Sequence, residues 1–151
     1  MLVVLEGCDG SGKSTLARSL AKILDAEIIH CTSQTPNDFE FFNSIIEESK
    51  NKNIIADRFC YGQFVYQEEE DRPLGTIENL HKLERKMKEA GAKVILVEAP
   101  YGVIESRLRL RRETLINGLT VSQVCERFYD LLNFHSIMGD DSFGWQTGGE
   151  L

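Results

Sequence analysis

The chain has 151 residues, of which 42% are hydrophobic, and its formal net charge is −7 at pH 7. These values predict a single globular domain over residues 1–151 and exclude disordered or low-complexity structure. The acidic balance argues against a general nucleic-acid or membrane binder, and no apolar run approaches the ~20 residues of a membrane helix. Because no leader is recognisable and the four cysteines lack paired spacing, we expect a cytoplasmic protein with reduced thiols.

Short apolar runs alternate along the chain with segments of helical period. The predicted strands cover, in order, residues 2–5, 26–31, 53–57 and 93–99, with a fifth over 142–147. The predicted helices cover residues 16–24, 42–49, 77–91, 103–112 and 121–135. Thr120 and Gln123 form a capping box that marks the start of the last helix.

The strands are continuous apolar runs, which indicates that both of their faces are buried. Their alternation with helices predicts an α/β fold of three layers, with a parallel sheet of about five strands flanked by helices. A flavodoxin-like sheet is the alternative fold, but it gives no reason for the glycines that follow the first strand.

Residues 7–14 read Gly-Cys-Asp-Gly-Ser-Gly-Lys-Ser and fit the phosphate-loop pattern G-x-x-x-x-G-K-[ST], placed between a predicted strand and a predicted helix. The glycines allow backbone amides to surround a phosphate, and the helix adds the positive end of its dipole. Lys13 would reach the β- and γ-phosphates of ATP, and Ser14 would offer a hydroxyl ligand to Mg²⁺. The predicted nucleotide-binding residues are Gly7, Gly10, Ser11, Gly12, Lys13, Ser14 and Thr15. These features predict a P-loop NTPase fold.

The length of the chain and its other motifs favour a small kinase over other P-loop classes. A GTPase is disfavoured, because Ile54 stands where the guanine-selecting pattern N-K-x-D requires Asp, and no glycine follows Asp57 to complete D-x-x-G.

Residues 6–15, Glu-Gly-Cys-Asp-Gly-Ser-Gly-Lys-Ser-Thr, resemble the E-G-x-D-x-x-G-K-[ST] loop of thymidylate kinases. Residues 57–67 resemble that family's D-R-Y-x-x-S-x-x-A-Y-Q, with Gly62 for Ser and Val65 for Ala. The resemblance covers nearly the whole chain and is closest to the short thymidylate kinase-like group of phages and prophages. It implies an ATP- and Mg²⁺-dependent nucleoside monophosphate kinase that acts on a deoxynucleotide such as dTMP.

The resemblance also implies roles for individual residues. Asp9 would bind the 3′-hydroxyl of the acceptor, Asp57 would sit at the Mg²⁺ ion, and Arg58 would lie between the acceptor phosphate and the γ-phosphate. Phe64, Tyr66 and Gln67 would lie near the base or sugar of the acceptor.

The arginine-rich segment after the fourth strand resembles the family's lid helix. Family members without an arginine at the position of Gly10 use lid arginines instead. Arg107 and Arg111 are four residues apart and share a helix face, whereas Arg109 points elsewhere. Arg107 and Arg111 therefore join Lys13, Asp57 and Arg58 as catalytic candidates, and the lid is expected around residues 107–119.

Two alternatives stay open. No Arg or Lys occurs between His30 and Phe42, where the family usually places an arginine for the acceptor phosphate, so a nucleotide-binding remnant without turnover is one alternative. A deoxynucleoside kinase is the other, and it would need a carboxylate base, for which Glu6 is the acid placed before the loop. Small-molecule nucleotides are the expected partners, and a homodimer is left open.

Two further residue types receive no catalytic role from the sequence. His30, His81 and His135 show no triad or ligand spacing, so no chemistry is assigned to them. Arg72 lies in an acidic stretch and is expected to form a surface ion pair.

Overall fold

The computed structural model describes residues 1–115, 118–135 and 143–146, and within these ranges strands and helices alternate. The strands are β1 (Leu2–Glu6), β2 (Glu27–His30), β3 (Ile54–Asp57), β4 (Lys93–Glu98) and β5 (Phe143–Gln146). The helices are α1 (Lys13–Leu24), α2 (Phe39–Glu48), α3 (Gly62–Tyr66), α4 (Ile77–Glu89), α5 (Tyr101–Arg111) and α6 (Val121–His135). Among the described residues, no helix is both long enough and apolar enough to cross a membrane.

The strands form one parallel sheet in the order β2-β3-β1-β4-β5. This confirms the predicted α/β fold with a parallel sheet of about five strands. β1 lies at the centre of the sheet, between β3 and β4. The segment after β1 therefore leaves the sheet between two strands that lie on opposite sides of β1. In such sheets ligands bind in the crevice at the carboxyl ends of the strands, and this is the end from which the glycine-rich loop emerges.

Helices cover both faces of the central strands. Leu16 and Ala17 of α1 pack on one face, and Phe42 of α2 and Leu80 of α4 pack on the other. β1 and β3 are buried along their whole length, but β2 is only partly covered. The expectation that both faces of every strand are buried is therefore wrong for β2, because it lies at the edge of the sheet.

The short helix α3 was missing from the sequence prediction, since five residues are too few to show an apolar period. Buried Gln63 fixes its position: the side-chain amide donates to the carbonyl of Asn37 over 2.7 Å and accepts from the amide of Leu74 over 2.9 Å. Two other expectations lie partly outside the described residues, namely the lid around residues 107–119 and the ends of the fifth predicted strand.

Candidate active site

The glycine-rich loop follows β1 directly and packs closely on β4. Gly7 has a φ of +144°, and a Cβ atom there would lie 2.3 Å from the carbonyl oxygen of Val97, so a larger residue cannot fit. Gly12 has a φ of +105° and takes the left-handed turn after which α1 begins at Lys13. The loop therefore ends at a helix N-terminus, whose free amides and dipole suit an anion.

Lys13 lies inside this loop. Its Nζ donates to the carbonyl oxygens of Gly7 and Cys8 over 2.7 and 2.9 Å, and the residue is only 5% exposed. Burial lowers the pKa of the Lys13 ammonium, and the nearby charge of Arg58 adds to this effect. The ammonium is thus held where a phosphate in the loop would meet it.

Ser14 and Asp57 join α1 to the end of β3. The Ser14 hydroxyl donates to Oδ2 of Asp57 over 2.6 Å. A hydroxyl and a carboxylate oxygen beside a phosphate site suit Mg²⁺, which usually completes its shell with water and phosphate oxygens. Among the described residues, no group of three or more His, Cys, Asp or Glu side chains could hold a metal ion.

His30 touches the same carboxylate, with its Nδ1 atom 3.1 Å from Oδ2 of Asp57. Sequence reasoning assigned His30 no chemistry, and the structure places it at the candidate metal site. The available clue was the sheet register: His30 and Asp57 are the last residues of neighbouring parallel strands and lie opposite each other.

Two cavities meet at Asp9 and Arg58. The phosphate cavity, of about 250 Å³, is lined by residues that include Lys13, Ser14 and Asp57. The acceptor cavity, of about 300 Å³, is lined by residues that include Thr32, Tyr66 and Gln67. Asp9 and Arg58 line both cavities and form an ion pair with each other.

Glu6 holds the turn that carries Arg58. Its carboxylate is 1% exposed, and Oε1 accepts hydrogen bonds from the backbone amides of Phe59 and Tyr61 over 2.9 and 3.2 Å. Burial raises the pKa of Glu6 to about 7, against the opposing charge of Lys13. The sequence suggested only a proton-accepting role for this residue.

Phe64 is not in the lining of the acceptor cavity, whereas Tyr66 and Gln67 line both that cavity and the neighbouring one. Phe64 lines this neighbouring cavity, of about 430 Å³, and packs under the guanidinium of Arg72, which lies 4.4 Å from the ring centroid. No bound acceptor tests whether Phe64 borders it, so this stays a prediction. Tyr66 packs edge-on against Phe128, with ring centroids 6.0 Å apart.

Arg72 braces α3, and among the residues that the structure describes it does not form the expected ion pair. Its Nε donates to the carbonyl oxygens of Gln63 and Gln67. Arg127 of α6 donates to the carbonyl of Val65 over 2.9 Å. Two cations therefore hold the carboxyl end of α3, where the helix dipole is negative. No pattern in the sequence predicts that Arg72 and Arg127 contact α3.

Helix α5 packs on the phosphate loop. Arg107 donates from Nη1 to the carbonyl oxygen of Gly10 over 2.9 Å. Arg111 lines the phosphate cavity together with Glu113, whose carboxylate the sequence analysis did not consider. Arg109 is exposed and lies outside the lining of this cavity, so the structure brings Arg107 and Arg111 to the loop and leaves Arg109 out.

No protein-family model matches the chain. The SPbeta prophage-derived uncharacterized protein YorR of Bacillus subtilis (strain 168) is 35% identical over 154 residues, which cover 97% of this chain and 89% of YorR. A crystal structure of YorR in complex with phosphorylated GDP is similar, with a TM-score of 0.79 at 32% identity, over 98% of this chain and 86% of that chain. This chain belongs to the YorR family of thymidylate kinase-like P-loop kinases.

More distant relatives agree with this assignment. The thymidylate kinase of Neorickettsia sennetsu is 26% identical over 174 residues, which cover 92% of this chain and 87% of that enzyme. The deoxyadenosine kinase from M. mycoides with bound dATP has a TM-score of 0.59 at 15% identity, over 99% of this chain and 93% of that chain. At this identity the second comparison shows a shared fold. For this YorR-family kinase, the carboxyl edge of the sheet is the place where nucleotide chemistry is expected.

Proposed function

We propose that this chain is an ATP-dependent nucleoside monophosphate kinase, which transfers the γ-phosphoryl group of ATP to a deoxynucleotide such as dTMP. The observation that carries the proposal is the position of Arg58, which lines both the phosphate cavity and the acceptor cavity. A cation at this junction suits a reaction in which both substrates bring a phosphate to the same place, because a guanidinium binds phosphate oxygens in a planar, two-pronged fashion.

The donor side would use the residues of the loop. Lys13 and the loop amides would bind the phosphates of ATP, while Ser14 and Asp57 would hold Mg²⁺. When bound, Mg²⁺ neutralises phosphate charge and aligns the phosphate groups. The protein's own contribution is positioning and electrostatic stabilisation of the transferred group, which supply most of the rate in phosphoryl transfer.

The acceptor side would use fewer charged groups. Among the residues that the structure describes, Arg58 is the one cation in the lining of the acceptor cavity. The segment after β2 contributes Thr32, Ser33 and Asn37 to the same lining, where the family usually supplies a second arginine. Arg58 would therefore bind the acceptor phosphate alone on this side, and Asp9 would bind a sugar hydroxyl.

The deoxynucleoside kinase alternative receives little support from Glu6. A general base must reach the hydroxyl that it deprotonates. Glu6 is in the lining of the acceptor cavity, but the residue is only 1% exposed, and its Oε1 already accepts two backbone hydrogen bonds that hold the turn at Arg58.

The proposal is tested with a panel of ribo- and deoxynucleoside monophosphates and the matching nucleosides, each incubated with ATP and Mg²⁺. Guanine nucleotides belong in the panel, because the YorR structure contains phosphorylated GDP. Formation of a nucleoside diphosphate together with ADP is the expected result, and Lys13→Ala protein prepared in parallel controls for contaminating kinases. Phosphorylation of nucleosides alone would support a nucleoside kinase, and ATP binding without any product would support the remnant.

A further inference from the structure

The Glu6 carboxylate connects two parts of the site that are far apart in sequence. Its Oε1 atom accepts from amides 53 and 55 residues further along the chain, at Phe59 and Tyr61. Both amides belong to the segment that leads from β3 into α3. Glu6 itself is the last residue of β1 and directly precedes the phosphate loop, whose first carbonyl, at Gly7, accepts a hydrogen bond from Lys13.

The turn between these bonds is strained at Arg58. This residue has a φ of +71°, a left-handed conformation that is unfavourable for a residue other than glycine. On one side of the turn, the Arg58 amide donates to the carbonyl of Leu5 over 3.0 Å. On the other side, the next amides reach Glu6. The strained residue is therefore held from both directions by consecutive residues of β1.

The geometry points to Glu6 as a positioning residue for the transfer reaction, whose carboxylate fixes the left-handed turn at Arg58 and keeps the acceptor-side guanidinium aligned with the phosphate loop. This inference rests on the proposed function, because it assigns Arg58 to the acceptor phosphate. For this role the buried Oε1 atom of Glu6 must accept two hydrogen bonds. The Glu6 carboxylate does not need to gain or lose a proton during the reaction. A backbone shift of about 1 Å at such a site is enough to cost a large factor in rate.

Two substitutions separate hydrogen-bond acceptance from size. Glu6→Gln keeps an oxygen that accepts from both amides, whereas Glu6→Met keeps a similar volume and accepts from neither. Buried amides without hydrogen-bond partners destabilise the conformation that leaves them so, and the turn should therefore relax in the methionine variant. Glu84→Met is the matched control, since Glu84 is also fully buried but accepts from the hydroxyl of Tyr61 over 3.0 Å and not from the backbone of the turn.

The kinetic experiment measures kcat and KM for the acceptor and for ATP in each variant. We expect Glu6→Met to lower kcat/KM for the acceptor about tenfold or more while the KM for ATP changes less than twofold, and Glu6→Gln to stay within about threefold of wild type. Glu84→Met should lower thermal stability but keep kcat/KM for the acceptor within about threefold. In an Arg58→Ala background, Glu6→Met should cost less than about twofold, because its effect passes through Arg58.

Two kinetic results would overturn the inference: an equal cost of Glu6→Met with and without Arg58, or a Glu6→Gln variant as damaged as Glu6→Met. A separate measurement does not need turnover, namely amide hydrogen exchange at Phe59 and Tyr61. Exchange should accelerate at both amides in Glu6→Met and stay slow in Glu6→Gln. Wild-type protein without any kinase activity would defeat the proposed function while this exchange test still decides the role of Glu6, and unchanged exchange in Glu6→Met would reject it.

Discussion

Arg58 and Asp9 form an ion pair at the junction of the phosphate cavity and the acceptor cavity. The two residues are 49 positions apart in sequence, but each follows one of two neighbouring parallel strands, β3 and β1. An acceptor phosphate that binds Arg58 must compete with the Asp9 carboxylate for the guanidinium. Acceptor binding is therefore expected to separate this pair and to leave Asp9 available for a sugar hydroxyl.

Arg58→Ala should lower kcat and raise the KM for the acceptor together, because the guanidinium would contact the acceptor phosphate in both the ground state and the transition state. A combined loss of kcat/KM of about 10²-fold or more is expected. Steady-state kinetics with a monophosphate acceptor measures it. Arg85→Ala is the control, since Arg85 is exposed on α4. An Arg58→Ala variant with normal kcat would remove Arg58 from the transfer step.

Lys13→Ala should abolish turnover and leave the fold intact. The ammonium lies inside the phosphate loop, and loss of such a charge at the transferred phosphate costs about 10²-fold or more in rate. Circular dichroism tests whether the fold is intact, and a coupled ADP assay tests whether turnover is lost. Lys22→Ala, in the exposed last turn of the same helix, should behave as wild type. If Lys13→Ala turned over normally, the phosphate-loop assignment would be lost.

The three arginines of α5 should differ in how much their substitution by alanine lowers activity, because only two of them lie at the phosphate loop or its cavity. Arg107→Ala and Arg111→Ala should each lower kcat/KM, since Arg107 contacts the loop and Arg111 lines the phosphate cavity. Their combined effect should be smaller than the sum of the single free-energy effects, because both act on the same phosphates. Arg109→Ala serves as the built-in control. If kcat/KM fell less than about threefold in both Arg107→Ala and Arg111→Ala, the activation barrier would have risen by less than ~0.7 kcal/mol. That result would show that the arginines of α5 are only a solvated helix face.

Glu6 should make the stability of the protein depend on pH. Its pKa is raised by burial from 4.5 to about 7 in the folded state, so the folded protein binds this proton more tightly than the unfolded chain does. The free energy of unfolding should therefore fall as pH rises from about 4.5 to 7, by about 3 kcal/mol relative to Glu6→Gln, and then level off. Urea denaturation of both proteins across this range measures the difference, and parallel profiles would contradict it.

The sequence predicted the sheet and the place of the glycine-rich loop well, because both depend on local patterns. Continuous apolar runs marked β1, β3 and β4, and the spacing from Gly7 to Ser14 placed the phosphate loop at the end of β1. The predicted start of β2 was off by one residue, and its exposure was misjudged, since no local pattern tells an edge strand from a central one.

The acceptor side was harder to predict because it is built from contacts between distant segments. In the phosphate cavity too, the contact of His30 with Asp57 follows from strand order, which the sequence does not state. Helix α3 is too short to show a period, so the contact of Phe64 with Arg72 and the hydrogen bonds from Arg72 to α3 could not be foreseen. The role of Glu6 depends on a turn more than 50 residues away, although the residue itself stood out before the loop.

The most direct test of the central claim compares one nucleoside with its own 5′-monophosphate, for example thymidine and dTMP, as acceptors for wild-type protein and for Arg58→Ala. We predict that the wild type converts the monophosphate to the diphosphate with a much higher kcat/KM than it phosphorylates the nucleoside, and that Arg58→Ala removes most of this preference. If the base proves wrong, the same comparison applies to whichever pair reacts in the panel. A nucleoside that reacts as well as its monophosphate, with no dependence on Arg58, would contradict the account.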